Sequence, residues 1–111
     1  MNVNITIGSE FKRQFKQLAK KYHSLTDDFI VFQNALRENP LQGDDLGNGV
    51  RKVRMTITSK SKGKSGGARV LTLNVWVEDN ANITLLTIYD KSEISNVSDQ
   101  YIRWLVSQHK S

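Results

Sequence analysis

The chain has 111 residues, a length that predicts one domain with an ordinary hydrophobic core. Sixteen Lys and Arg residues against eleven Asp and Glu give a formal net charge of +5, which favours nucleic acid, an acidic protein or an anionic surface as partner. The chain has no cysteine, which excludes a disulfide framework and a thiolate zinc site. It shows neither a signal peptide nor an apolar run long enough to span a bilayer, so we expect a cytoplasmic protein without membrane contact.

The first half of the chain predicts a strand followed by two amphipathic helices. Apolar and polar residues alternate over residues 3–7, as in a short strand. Apolar side chains then recur at helical spacing over residues 11–22 and 29–36. Ser24, with Asp27 three residues later, has the sequence of a capping box for the second helix, which ends at Asn39 because the residue before proline avoids helical geometry. Two helices with a short connection favour an antiparallel hairpin that covers a sheet.

The second half predicts a loop, a three-stranded meander and a final helix. Residues 41–49 have the composition of a loop. Residues 52–58 alternate polar and apolar side chains, which indicates a half-buried strand with a basic outer face. Residues 70–77 and 83–89 are apolar enough for two central strands, separated by a turn at residues 79–82. A last helix is expected to start near Ser98 or Asp99.

This order, β-α-α-β-β-β-α, predicts one α+β domain over residues 1–111. In the expected architecture the helical hairpin and the C-terminal helix pack on a small, mostly antiparallel four-stranded sheet. No linker and no internal repeat divides the chain.

Positive charge is concentrated around the first strand of the meander. Residues 51–54 read RKVR, and residues 60–69 read KSKGKSGGAR directly before an apolar strand. So much positive charge in a small domain predicts contact with phosphate. The lysines around the glycines are equally well explained as a solvated loop.

The sequences GVRKVR, GKSGGAR and LLTIYDKSE, spaced over one meander behind a helical hairpin that ends in NPLQGD, resemble the RelE/ParE toxin superfamily. The nearest similarity is to its HigB-like branch, and it covers nearly the whole chain. The resemblance implies the toxin of a type II toxin-antitoxin system. In the RelE and HigB branches it implies an endoribonuclease that cuts messenger RNA, typically in the ribosomal A site. For the HigB-like branch it also implies a helix-turn-helix antitoxin as partner. The alternatives are a ParE-like inhibitor of DNA gyrase and a catalytically inactive RNA- or ribosome-binding module.

RNA cleavage without a metal ion requires side chains of the kinds found in these segments. The 2′-hydroxyl attacks the adjacent phosphate, which needs a base, positive charge for the developing phosphorane and an acid for the leaving 5′-oxygen. An arginine can bind two phosphate oxygens at once, and a lysine supplies a point charge. Neither a metal ion nor a cofactor is therefore expected.

The resemblance carries family roles to individual positions of this chain. Lys52 and Arg54 match the family's basic strand positions, and Arg69 matches the arginine that starts the central strand. Tyr89 and Asp90 match the segment that carries the family's last catalytic side chains. We therefore predict that these five residues, located at one end of the sheet, are catalytic. Further basic residues are expected to contact RNA without taking part in the chemistry: Arg51, Lys60, Lys62, Lys64 and Lys91.

Simpler explanations of the same residues remain open. Arg69 can lie at the rim of the sheet or pair with an acid, Tyr89 can be a buried tyrosine with a bonded hydroxyl, and Asp90 can form a turn. The chain also departs from several ribonuclease members, which place a histidine near the site. His23 and His109 fall at a helix end and near the C-terminus, so acid and base are expected to come from other residue types.

Overall fold

The computed structural model describes residues 2–60 and 66–109. One sheet in the order β1-β5-β4-β3-β2 is formed by the strands β1 (Asn2–Ile7), β2 (Asp44–Gly47), β3 (Val50–Met55), β4 (Ala68–Val77) and β5 (Asn80–Asp90). β1 runs parallel to β5, and the other neighbouring strands are antiparallel. The helices are α1 (Ser9–Lys21), α2 (Leu25–Glu38) and α3 (Asp99–Ser107). The predicted α+β class is confirmed. None of the described helices is both long and apolar enough to cross a membrane.

The sheet has five strands, and the prediction of four was wrong because residues 41–49 are not all loop. Part of this segment forms β2, which pairs antiparallel with β3 through Asp44–Lys52 and Asp45–Arg51. Asn48 and Gly49 make the connecting turn, with φ angles of 55° and 82°. Positive φ at both turn residues is what a type I′ hairpin requires, and Asn-Gly is its strongest sequence signal. This Asn-Gly dipeptide is visible in the sequence, but it lies within a segment that otherwise has the composition of a loop.

The β4–β5 turn also lies earlier than predicted. Glu78 and Asp79 form a two-residue connection, with Glu78 at a φ of 53°, and β5 already starts at Asn80. Residues 80–82, predicted as part of the turn, instead pair with the end of β4. The polar residues of this segment therefore belong to a strand, because their backbone pairs on both sides, with β4 and with β1.

Different helices cover the two faces of the sheet. On the helical-hairpin face, α1 and α2 bury a core cluster in which Phe11 and Leu36 join the strand residue Val70. On the α3 face, Leu105 packs with Leu71 in a smaller cluster. A groove of about 1080 Å³ remains between α3 and strands β2 to β4. The two faces therefore differ: one is closed by a two-helix layer, and the other is partly open.

One extra residue in β5 determines which of its side chains reach the α3 face. Thr72 of β4 pairs with Leu85, but Leu71 pairs with Thr87, so Leu86 has no counterpart on β4. Such a bulge changes the alternation of side chains along the strand. Leu85 stays in the helical-hairpin cluster, whereas Leu86 packs in the α3 cluster.

The start of α2 differs from the predicted capping box. The Ser24 side chain makes no cap hydrogen bond; its hydroxyl donates to Asp28 Oδ2 at 2.7 Å and accepts from the Ser59 N–H at 2.9 Å. Asp28 also accepts from the N–H and the hydroxyl of Thr58, at 2.9 and 3.0 Å. These bonds tie the first turn of α2 to the chain just before residue 60, where the basic segment begins.

Gly67 and Gly47 offer a matched test of backbone strain, since both have positive φ, of 76° and 90°. A Cβ atom at Gly67 would lie 2.7 Å from the Met55 carbonyl oxygen, whereas one at Gly47 would have no atom within 4 Å. We expect Gly47→Ala to lower the free energy of unfolding by about 1–2 kcal/mol through left-handed strain alone. Gly67→Ala should cost roughly 1–3 kcal/mol more because of the added clash. Denaturant unfolding measures both, and equal losses would contradict this account.

Candidate active site

Three of the predicted catalytic residues lie side by side across the sheet. Arg54 on β3 pairs with Arg69 on β4, and Arg69 pairs with Tyr89 on β5. Residues directly opposite each other on antiparallel strands have Cβ atoms about 4.5–5.5 Å apart. All three lie on the α3 face, because their neighbours along each strand belong to the helical-hairpin cluster. The register of β3, β4 and β5 therefore brings two guanidinium groups and a phenol onto one surface.

Lys52 extends this surface along β3. It lies two residues before Arg54, so its side chain has the same orientation, and it pairs with Leu71 of β4. Lys52 is half-buried and lines the groove between α3 and strands β2 to β4. We call Lys52, Arg54, Arg69 and Tyr89 the site row.

Arg69 is a buried cation, with 7% of its surface exposed. Its Nη1 donates to the carbonyl oxygens of Gly66 and Ala68 at 3.3 and 3.2 Å. Within residues 2–60 and 66–109 it forms no ion pair. A buried charge without a counterion is costly. The described chain contains no ion pair that would offset the cost of burying the Arg69 guanidinium. Its positive charge is available to an anion that reaches the α3 face.

Tyr89 places a hydroxyl without a partner beside Arg69. Tyr89 is 5% exposed, and its hydroxyl is the only buried side-chain polar atom of the described residues that lacks a hydrogen bond. Burial raises the pKa of Tyr89, and the positive charge of Arg69 partly opposes that rise. The phenol therefore keeps its proton at neutral pH. A buried hydroxyl left unbonded costs free energy, which an acceptor on a ligand would recover.

Asp90 lies on the other face of the sheet, opposite Ala68. Its side chain accepts hydrogen bonds from the Tyr22 hydroxyl, from Lys60 Nζ at 2.9 Å, and from the N–H and hydroxyl of Ser92 at 2.9 and 2.7 Å. Burial acts to raise the pKa of Asp90, but these hydrogen bonds outweigh it and hold that pKa well below its usual value. Asp90 is therefore an ionised, fully engaged carboxylate that the structure separates from the site row.

The predicted RNA-binding residues that the structure describes make contacts with residues that are not members of the site row. Lys60 is engaged with the Asp90 carboxylate and the Ser92 hydroxyl. Arg51 points to the helical-hairpin side, where it donates to two backbone carbonyl oxygens after α2 at 3.2 and 3.0 Å. Lys91 Nζ lies 3.5 Å from the Ser95 carbonyl oxygen. Two further residues predicted to bind RNA lie outside the described residues: Lys62 and Lys64.

One important contact had no signal in the sequence. Gln14 Oε1 accepts from the Thr87 hydroxyl at 2.6 Å and from the Ile88 N–H at 3.2 Å, directly before Tyr89. A glutamine in an amphipathic helix is usually a solvent-facing residue, so the sequence gives no indication of this contact. Tyr101 is a partly buried residue that packs against the α3 cluster.

The chain matches the family model described as "RelE toxin of RelE / RelB toxin-antitoxin system" over residues 5–110. The protein belongs to this family. The match contains the whole site row, and the five-stranded, mostly antiparallel sheet with three helices is consistent with the RelE-like fold. RelE-family membership makes the protein the toxin of a toxin-antitoxin system and implies a cognate antitoxin; toxins of this family are generally mRNA interferases.

The site row of this RelE-family toxin has the chemistry of an anion site. Its members carry N–H and O–H donors, and three of the four are cationic, which suits phosphate oxygens rather than a divalent cation that prefers oxygen ligands. The described part of the chain holds no group of three or more His, Asp or Glu side chains placed to bind a metal ion. Arg69 and Tyr89 can together donate hydrogen bonds to one phosphate, Arg69 from a charged guanidinium and Tyr89 from a neutral hydroxyl.

Asp90→Asn tests the structural role of the Asp90 carboxylate through pH. The folded-state pKa lies below the ordinary value of 3.8, so the ionised carboxylate stabilises the toxin above that pH, and this contribution is lost as the pH falls below it. We expect the variant to lose about 2–3 kcal/mol of unfolding free energy at neutral pH. The difference from wild type should narrow as the pH falls below 3.8.

Denaturant unfolding of wild type and variant over a pH series measures this difference. Asp79→Asn is the matched control, since Asp79 is exposed at the β4–β5 turn. The control should follow the wild-type pH dependence. A loss in Asp90→Asn that stays constant from neutral to acid pH would show that the charge of Asp90 is not what stabilises the fold.

Proposed function

We propose that this RelE-family toxin is a metal-independent endonuclease of ribosome-bound messenger RNA and that the site row is its active site. One observation supports this most strongly: the buried Arg69, without an ion pair in the described chain, lies beside the unbonded buried hydroxyl of Tyr89. An RNA phosphate provides what both side chains lack, a negative charge for the guanidinium and an acceptor for the phenol.

In the proposed reaction, the 2′-oxygen of a nucleotide attacks its own 3′-phosphate. The new P–O2′ bond forms as the P–O5′ bond breaks, leaving a 2′,3′-cyclic phosphate and a free 5′-hydroxyl. Arg69 and Arg54 bind the non-bridging oxygens, where negative charge increases in the transition state. Tyr89 donates its proton to the departing 5′-oxygen. Lys52 is the proposed acceptor of the 2′-hydroxyl proton, since it lies at the opposite end of the site row from Tyr89.

Residues that are not members of the site row have other roles in this proposal. Asp90 and Lys60 hold the ends of the basic segment through their ion pair, and Arg51 fixes the chain after α2. Lys91, Lys62 and Lys64 remain proposed RNA contacts by virtue of their charge. We further propose that the toxin belongs to the HigB-like branch, acts at the ribosome in the cytoplasm and is controlled by a helix-turn-helix antitoxin, as its similarity to that branch implies. Its net charge of +5 favours an antitoxin with an acidic contact surface.

Substitution of Arg69 tests the proposed activity directly. Induced expression of the wild type in bacteria should arrest growth and produce new 5′ ends within abundant transcripts, mapped by primer extension. Arg69→Ala should abolish both effects, with cleavage reduced about 10³-fold or more, and Tyr89→Phe should reduce cleavage about 10²-fold. Arg37→Ala removes the same charge from an exposed position on α2 and should behave as wild type.

Other outcomes of this experiment would contradict the proposal in distinct ways. Growth arrest with intact transcripts would favour a gyrase-type target. No arrest from a wild-type protein shown to be folded by circular dichroism would favour a binding module without catalysis. Full activity of a folded Arg69→Ala variant would remove the site row from the mechanism.

RNA affinity should decrease steeply with salt if the site row binds phosphate. The probe is a short RNA with 2′-O-methyl groups, which block attack but preserve the backbone charge. A plot of log affinity against log salt concentration should be linear, and Arg54→Ala should reduce its slope by about 0.7, the contribution of one single-stranded phosphate contact. Arg37→Ala should leave the slope unchanged. A flat response in the wild type would contradict the phosphate-binding surface.

A further inference from the structure

Among the described residues, no strand neighbours the outer side of the end of β5, which carries Tyr89. β1 pairs with β5 only as far as the Ile7–Leu85 pair, and the chain then turns into α1. On the other side, β4 continues to pair with β5 up to Asp90. The outer edge of residues 86–90 therefore presents backbone groups for which β1 offers no partner. Buried backbone N–H groups require an acceptor, so another group must take the place of the strand.

Gln14 of α1 supplies that acceptor. Its Oε1 accepts from the N–H of Ile88 at 3.2 Å, and the same oxygen accepts from the Thr87 hydroxyl at 2.6 Å. Ile88 and Thr87 are each 1% exposed, so water cannot readily replace this bond. The orientation of the amide follows from chemistry: a backbone N–H can only donate, which places the amide oxygen against it and the amide nitrogen on the other side.

The nitrogen of the same amide reaches the helix on the α3 face. Gln14 Nε2 donates to the Tyr101 hydroxyl at 3.0 Å, and the hydroxyls of Tyr101 and Thr87 are 3.5 Å apart. One side chain therefore connects α1, the unpaired edge of β5 and α3. These contacts fall at the residues directly before Tyr89, on the strand segment that places it opposite Arg69.

We propose that Gln14 is a positioning residue: it replaces the missing strand at the end of β5 and thereby holds Tyr89 opposite Arg69. The consequence for RNA cleavage rests on the function proposed above, whereas the structural part stands by itself. None of the amide's hydrogen bonds goes to a side chain of the site row, and none is needed, because the amide acts through the backbone of β5. Loss of the bond to Ile88 leaves a buried N–H unsatisfied and frees the segment that carries Tyr89.

The structural part is tested by hydrogen exchange in the full-length toxin. Gln14→Leu removes both polar atoms at similar size, and the Ile88 amide should then exchange about tenfold faster or more, while the Val53 and Val70 amides in the centre of the sheet keep their rates. Gln14→Glu retains a carboxyl oxygen that can accept from the Ile88 N–H and should keep slow exchange. Gln17→Leu makes the same chemical change at an exposed position of α1 and should match wild type.

The catalytic part is tested by steady-state cleavage of messenger RNA on programmed ribosomes. Gln14→Leu should lower kcat about 10- to 100-fold with little change in KM, because the site row still binds phosphate but Tyr89 is displaced. Gln14→Glu should restore most of kcat. A Gln14→Leu toxin with wild-type Ile88 exchange, or with exchange faster throughout the sheet, would overturn the positioning role.

The two proposals fail in different ways. A wild type that cleaves no RNA would refute the proposed function, while the Ile88 exchange would still decide whether Gln14 holds the end of β5. Normal kcat in a Gln14→Leu toxin with fast Ile88 exchange would overturn the link between Gln14 and catalysis and leave the nuclease intact. Gln14→Asn, one methylene too short to reach Ile88, provides the same test if Gln14→Leu does not fold.

Discussion

The alternation of side chains at the end of β5 is the constraint on which the rest of this toxin depends. Tyr89 and Asp90 are consecutive residues of one strand, so their side chains point to opposite faces of the sheet. Asp90 faces the helical hairpin, where hydrogen bonds from Tyr22, Lys60 and Ser92 satisfy its carboxylate. Tyr89 faces α3 with its hydroxyl unbonded. One side of the strand end therefore stabilises the fold, and the other remains available to a ligand.

The hydrogen bonds on the Asp90 face stabilise the fold and compensate for the free-energy cost of the unsatisfied groups on the Tyr89 face. An unbonded buried hydroxyl costs about 1–3 kcal/mol, and the buried guanidinium of Arg69 adds a desolvation cost that no ion pair in the described chain offsets. The charged hydrogen bonds to Asp90 act in the opposite direction, by about 1.5–3 kcal/mol each, and the Asp28 bonds to Thr58 add to them. Unsatisfied groups of this kind persist at functional sites because the surrounding structure holds them in place.

Local sequence patterns predicted which face of a strand each side chain occupies, but they could not predict contacts between residues that are far apart in the sequence. Alternation over residues 52–58 correctly predicted the outward face of Lys52 and Arg54, since strand period is a local property. The same rule separates Tyr89 from Asp90, but their shared position at one end of the sheet suggested that both converge on the site. The engagement of Asp90 with Lys60 spans 30 residues, and the Gln14 contact with Ile88 spans 74, so neither leaves a mark in the sequence around it.

The bulge at Leu86 explains why the site has this composition. If β5 continued from the Thr72–Leu85 pair without a bulge, so that Leu86 paired with Leu71, regular pairing would put Ile88 opposite Arg69. Tyr89 would then turn into the helical-hairpin core, and Asp90 would emerge on the α3 face as a diagonal neighbour of Arg69, within reach of its long side chain. That carboxylate would neutralise the positive charge of Arg69. The bulge at Leu86, followed by the hydrogen bond from the Ile88 N–H to the Gln14 amide, therefore goes with a strand end that keeps the acid away from the arginines and the phenol beside them.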